Sequence, residues 1–313
     1  MTLIPVERPE DFSLAEQFVI PHEETCASLA SLVRRKSDKL VFITNSDNTV
    51  VESVETTLLG ILNLDSTIYH CSPDISKIDA QTLKEELPFL IKKPVRCISG
   101  ESAATEFLID LFEQGNFDKL NHPAQIYPYK MLRWLRLSNP PLELSGGEEI
   151  IRCTEHDIEI LHPLQKDYMK EEVAVPGRPI TDAEVDISLR QILKNQLCFA
   201  LTVDGDIVAK ANTNAIGINC VQIGGVYTHP LYRRNGYAAA LVTALCKRVL
   251  RSGKQPVLFV KEKINPHSHS TRNSALKNAG TTLLPITKLQ GCNPLLKIQL
   301  QLQNKVSCSS INY

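Results

Sequence analysis

The spacing of apolar positions is most regular in the second half of the chain. Glu149 to Cys153 reads as a short strand, and Glu155 to Lys170 places Ile158, Leu161, Leu164 and Tyr168 at helical spacing behind Thr154 as a cap. Thr181 followed by Glu184 forms a capping box that opens a second helix through Lys194. The period then drops to two. Leu197 to Val203 and Ile207 to Asn214 read as strands joined across Asp204-Gly205, a strong hairpin signal. Cys220 to Thr228 is the next strand. It empties through Pro230 into a short polar loop and the Ala-rich run Ala239 to Leu250. Pro256 to Lys261 reads as a buried strand, Thr271 to Ala279 as a helix stopped by Gly280, and Leu295 to Leu302 as a last strand. The order is β-α-α-β-β-β-loop-α-β-α-β.

A similar order is expected ahead of it: a helix from Phe12 to Arg35, a strand Lys39 to Thr44, a turn Asn45 to Asn48, and strands Thr57 to Leu62 and Thr67 to Cys71. A helix Ala80 to Leu90, a strand Val95 to Ser99, a helix Ala103 to Glu113 and a strand Tyr127 to Leu137 complete it. The Pro-, Ser- and Gly-rich stretch Leu137 to Gly147 separates the halves, giving domains 1–143 and 144–313.

Composition adds little to this picture but removes alternatives. The 313 residues suffice for two cores, and 43% hydrophobic with 22% charged is ordinary globular usage. A net charge of −1 provides no electrostatic footprint for nucleic acid. No run of about 18 apolar residues is present, and Met1 to Phe12 lacks a basic-then-apolar leader, so the expected setting is cytoplasmic and away from membranes. The nine cysteines show no Cys-x-x-Cys and read as reduced thiols. His267 and His269 lack the Cys or carboxylate neighbours of a metal site, and no metal is expected.

The chemistry concentrates at Gly224 to Ala238. A strand that runs through an Arg/Asn/Gly loop straight into a helix lines up backbone N–H groups at the helix N-terminus, where anions bind. Neither Gly-x-x-x-x-Gly-Lys-Ser/Thr nor Gly-x-Gly-x-x-Gly is present. What stands is Arg233-x-x-Gly236-x-Ala238, which resembles the Arg/Gln-x-x-Gly-x-Gly/Ala loop of the GNAT superfamily of acyl-CoA-dependent N-acyltransferases. The resemblance spans roughly 147–302, and Gly177-Arg178-Pro179, 209–215 and 222–228 resemble bacterial two-domain members. It implies a mixed, mostly antiparallel sheet flanked by helices and splayed between the cofactor strand and the next. Because its order parallels that of the second half, with Leu40-Val41-Phe42-Ile43 and Leu197-Cys198-Phe199-Ala200 opening matching hairpins, the N-terminal α/β half reads as a GNAT-like repeat, and as a degenerate one because Ser72 to Lys84 has no counterpart of the loop. The other reading is an unrelated α/β domain. At least four matched strands in the same order are required for the repeat.

The resemblance also implies a site. The pyrophosphate of acetyl-CoA would rest on the loop of Arg233, Arg234, Asn235, Gly236, Tyr237 and Ala238. The pantetheine would run along Val226, Tyr227 and Thr228, with Asn273 or Ser274 touching it or the adenosine. A backbone N–H in the gap before Val257 to Lys261 would polarise the thioester. Transfer to an amine by direct attack needs a base, and the candidates are Glu171, Glu172, His229 and Tyr227. Asn212, Asn214 and Arg178 would face the acceptor, a small-molecule amine or a protein lysine; an oligomer is compatible with all of this. One departure stands out: the position where family members carry a Tyr near the CoA sulfur is Leu276. The reading is thus an acetyl- or short-acyl transferase, with a catalytically silent acyl-CoA sensor and a non-enzymatic scaffold as the alternatives.

Overall fold

A computed structural model of the chain describes residues 1–45, 57–114, 125–137, 144–174, 179–261 and 298–310. The helix expected over 271–279 lies outside the described residues, as do the central linker 138–143 and Arg178.

The first half runs β1 (Thr2–Pro5), α1 (Pro9–Val19), α2 (Ala27–Arg34), β2 (Leu40–Thr44), β3 (Leu58–Leu64), β4 (Thr67–Cys71), α3 (Ala80–Leu90), β5 (Cys97–Glu101), α4 (Ser102–Gln114) and β6 (Gln125–Leu137). The second runs β7 (Glu148–Arg152), α5 (Ile158–Tyr168), α6 (Asp182–Asn195), β8 (Cys198–Val203), β9 (Asp206–Ile216), β10 (Cys220–Thr228), α7 (Tyr237–Leu250), β11 (Gln255–Lys261) and β12 (Ile298–Ser310). The single helix expected over 12–35 is two. Pro21, which lacks a donor for a continuing α-helix, sits in a 3-10 turn between them. The Thr181–Glu184 capping box forms as expected, with Thr181 N–H donating to Glu184 Oε2 at 3.0 Å.

The twelve strands among the described residues make one sheet in the order β1-β2-β3-β4-β5-β12-β6-β11-β10-β9-β8-β7. Read inward from either edge, the two halves are the same. Each presents five strands in chain order, antiparallel until the fourth, which pairs in parallel with the fifth: β4 with β5, β10 with β11. Five matched strands exceed the four that the repeat requires. The helices follow suit. In the first half α1 and α2 bury Phe18, Leu29, Ala30 and Val33 on one face, while α3 and α4 bury Leu83, Leu87, Leu108 and Ile109 on the other. In the second, α5 and α6 supply Leu161, Val185 and Leu189 to one face and α7 supplies Leu241, Leu245 and Val249 to the other.

The final strands depart from the sequence-based order. β12 is longer than the expected 295–302 and lies antiparallel to β5 of the first half, while β6 of the first half lies antiparallel to β11 of the second. The two also pair with each other, from Ile298 opposite Leu137 to Ser310 opposite Gln125. Each half closes its sheet with a strand of the other. Side chains add a second tie: buried Glu23 accepts from the N–H groups of Asn219 and Cys220, each at 2.9 Å, at the β9–β10 turn. No helix among the described residues is long and apolar enough to cross a membrane.

Candidate functional site

Strands β10 and β11 pair only from Cys220–Ile223 to Gln255–Leu258. Beyond that, β10 stays with β9 as far as Thr228 opposite Ala209, while β11 stays with β6 as far as Lys261 opposite Tyr129. The two ends therefore follow different neighbours, and a wedge opens between them. A bulge sits at its throat: Gly224 faces Asn212, Tyr227 faces Lys210, and the two residues between oppose a single one on β9. Gly225 takes φ +55°, and a Cβ there would lie 2.0 Å from Asn212 Oδ1, so only glycine fits.

At the outer end of β10 the chain passes through a 3-10 turn, Pro230–Tyr232, into the loop before α7. Arg234 takes φ +72° and Gly236 φ +82°, the latter as the N-cap. The first helical bond runs from Ala240 N–H to Gly236 O at 3.0 Å, which leaves the N–H groups of Tyr237, Ala238 and Ala239 without an intrahelical acceptor. A glycine N-cap brings no side-chain oxygen of its own to them. The free N–H groups and the positive end of the helix dipole thus face outward beside the wedge.

The corresponding places in the first half are filled. Asp79 caps α3, accepting from Gln81 N–H at 3.3 Å and Thr82 N–H at 3.0 Å, so a carboxylate of the chain already occupies that helix N-terminus. Between β4 and β5, the fully buried His70 ring lies against Gly100, where a Cβ would come within 2.3 Å of it. His70 Nε2 is 2.8 Å from Thr105 Oγ1, and burial pushes its pKa down to about 4, keeping the ring neutral.

Around the wedge, three of the expected residues come together. Tyr227 donates to Glu171 Oε1 at 2.7 Å, and Arg233 Nη2 donates to both oxygens of Glu171 at 3.0 and 2.8 Å. Arg233 Nε also bonds Thr228 O at 3.0 Å, and its guanidinium lies 5.4 Å from the centre of the Tyr227 ring. Glu171 reaches this position from a wide π-type turn, Met169–Val173, at the end of α5. Its carboxyl is held below the usual range, chiefly by the Tyr227 hydrogen bond and then by Arg233, which keeps it ionised and lowers its basicity. Burial, with the bond to Glu171, pushes Tyr227 up to about 12.

The other candidates lie as follows. Glu172 is exposed on the same turn. His229 Nδ1 accepts from Leu231 N–H at 3.4 Å and its ring stands against Tyr232. Val226 points to the α7 face and packs on its core. Asn235 Nδ2 donates to Tyr232 O at 3.3 Å, bracing the loop. The Tyr237 hydroxyl is committed to Glu148 Oε1 at 2.5 Å, which anchors α7 to β7 and raises the phenol to about 12. Asn212 is buried and donates to Asn214 Oδ1 at 3.0 Å, so the pair shares one strand face as its alternation indicates. Arg178, Asn273, Ser274 and Leu276 lie outside the described residues.

Sequence reasoning passed over Lys210 and Tyr168. Lys210 is 1% exposed, and its ammonium donates to Gly225 O at 2.9 Å and Asn212 Oδ1 at 3.3 Å beneath the Tyr168 ring, 4.7 Å from its centre. All of these partners are neutral. Burial pushes the amine down to about 8. The signal was present in Ala209-Lys210-Ala211: a lysine between alanines on the central strand of a hairpin.

Residues 161–271 match the family described as acetyltransferase (GNAT) family. No curated protein matches the sequence. Among solved structures, a Drosophila melanogaster protein is 11% identical over 99% of this chain and 98% of that one, with a TM-score of 0.58. A GCN5-related N-acetyltransferase from Sphaerobacter thermophilus is 12% identical over 100% of this chain and 96% of that one, with a TM-score of 0.50. A Novosphingobium aromaticivorans protein described as a GNAT-family acetyltransferase is 16% identical, with a TM-score of 0.36; the match takes in 59% of this chain and 64% of that one, less than two thirds of its length. The first two likenesses extend over both halves, in keeping with the repeat.

Proposed function

From the premise that this chain carries a GNAT acetyltransferase domain over residues 161–271, we propose that it transfers an acetyl or short acyl group from acyl-CoA to a primary amine. The observation that carries the reading is the open wedge between β10 and β11 beside an α7 N-terminus whose N–H groups are free, set against a first half in which both places are plugged. The pyrophosphate would lie on the N–H groups around Gly236, with Arg233 and Arg234 adding positive charge. The pantetheine would add to the free edge of β10 through Val226 and Thr228. The amine nitrogen attacks the thioester carbon, the carbonyl oxygen takes up the negative charge, and collapse expels the CoA thiolate. The proton lost by the ammonium passes to Glu171, directly or through water, with Glu172 and His229 as the other acceptors within the same rim. Asn212 and Asn214 would border the acceptor.

A silent acyl-CoA sensor is the second reading. It is favoured by the ion pair that lowers the basicity of Glu171 and by Leu276 in place of a tyrosine. Calorimetric titration with acetyl-CoA and free CoA, on the natural chain and Gly236→Glu, tests the shared premise. Saturable binding lost in the variant is expected, because the new carboxylate would sit where the pyrophosphate belongs. Binding equal in both proteins would refute this placement. Release of CoA thiol in an amine panel then separates transferase from sensor.

A further inference from the structure

Lys210 has no role in the reading above, yet its arrangement is a costly one: an amine withdrawn from water and given only neutral hydrogen-bond partners. Its strongest contact is Gly225 O, at the one peptide of β10 that the bulge frees from the ladder with β9. A trans peptide is planar, with its C=O and N–H on opposite sides, and no peptide described here is cis. With the Gly225 carbonyl drawn to Lys210, the N–H of Val226 is turned the other way. Lys210 belongs to β9 on one flank of β10, and on the other flank β10 is no longer paired with β11 at this point.

We infer that Lys210 is a positioning residue: by holding the Gly225 carbonyl it fixes the plane of the Gly225–Val226 peptide and aims the Val226 N–H at the acyl carbonyl in the wedge. The inference rests on the acyl-CoA reading and adds to it the part that sets the donor. Gly225 alone leaves this peptide free to rotate, since glycine populates both signs of φ. A buried ammonium bound to the carbonyl removes that freedom before any ligand arrives, and donors fixed in advance are the ones that stabilise a developing oxyanion. Tyr168 and Asn212 take up the remaining donors of the amine and keep it centred on Gly225.

The test is isotope-edited infrared spectroscopy of acetyl-CoA labelled with 13C at the thioester carbonyl, bound to the natural chain and to Lys210→Met. The methionine fills the same channel and offers no donor. In the natural chain the carbonyl band is expected to move to lower frequency on binding. In Lys210→Met, with calorimetry showing acetyl-CoA still bound, that shift is expected to disappear. A purely structural role would lower the melting temperature or the affinity but leave the band of the bound ligand where it was. An unchanged shift in the variant therefore overturns the inference while sparing the acyl-CoA reading. A natural chain that binds no acetyl-CoA overturns both. If Lys210→Met does not fold, Lys210→Gln, too short to reach Gly225 O, takes its place with the same two outcomes.

Discussion

The buried amine of Lys210 makes a quantitative prediction about stability. In the folded chain burial pushes its pKa down to about 8, against 10.5 for the unfolded chain. Below pH 8 both states hold the proton, and the native state bears the full cost of burying the charge. As pH rises from 8 toward 10.5 the unfolded state binds more protons than the native state, so stability climbs with pH over that window. The whole difference is about 3 kcal/mol at 1.36 kcal/mol per unit. In Lys210→Met nothing titrates at this position. The variant also leaves the Gly225 carbonyl without its donor, which costs about 1–2 kcal/mol at every pH. The assay is urea unfolding of both proteins at pH 7, 8, 9 and 10. Most other titrating groups cancel between the two proteins; Cys153 and Cys198, whose thiols feel the Lys210 charge, are replaced by alanine in both backgrounds so that the difference isolates one group. At pH 7 the variant should equal or exceed the natural chain. By pH 10 it should have lost most of about 3 kcal/mol relative to it. Parallel stability curves would refute the buried, charge-penalised lysine.

Two substitutions test neighbouring features. Gly225→Ala places a Cβ 2.0 Å from Asn212 Oδ1 at φ +55° and should cost about 2–3 kcal/mol in denaturant unfolding, and a neutral result would refute the bulge geometry. Glu23→Ala strips the acceptor from the N–H groups of Asn219 and Cys220 and should lower stability by about 2–3 kcal/mol; stability unchanged in urea unfolding would show that this tie between the halves carries no weight.

The helices and strands of the second half were legible because their signals are local: a 3.6-residue period ahead of Tyr168, a Thr181–Glu184 capping box, an Asp204-Gly205 turn. The strand-to-helix turn at Arg233 to Ala238 was legible for the same reason, since a helix N-terminus is built from contiguous backbone. Lys210 was not. Period-two alternation in Ala209-Lys210-Ala211 marks two faces but does not say that α5 covers the charged one. The Glu171–Arg233 pair joins residues far apart in sequence through a π-type turn that no local pattern announces. Nor does alternation choose partners, so the crossing of β6 and β12 into opposite halves was hidden, although each was expected as a strand.

That crossing changes what the plugged half is for. It lends β6 to the outer flank of β11, the strand that forms one wall of the wedge, and receives β12 in return. Without the loan, β11 would keep only its short pairing with β10 over Gln255–Leu258 and lose its partner along the stretch to Lys261. The plugged half is therefore a support of the wedge itself: a substitution that unravels it also deprives β11 of its outer partner.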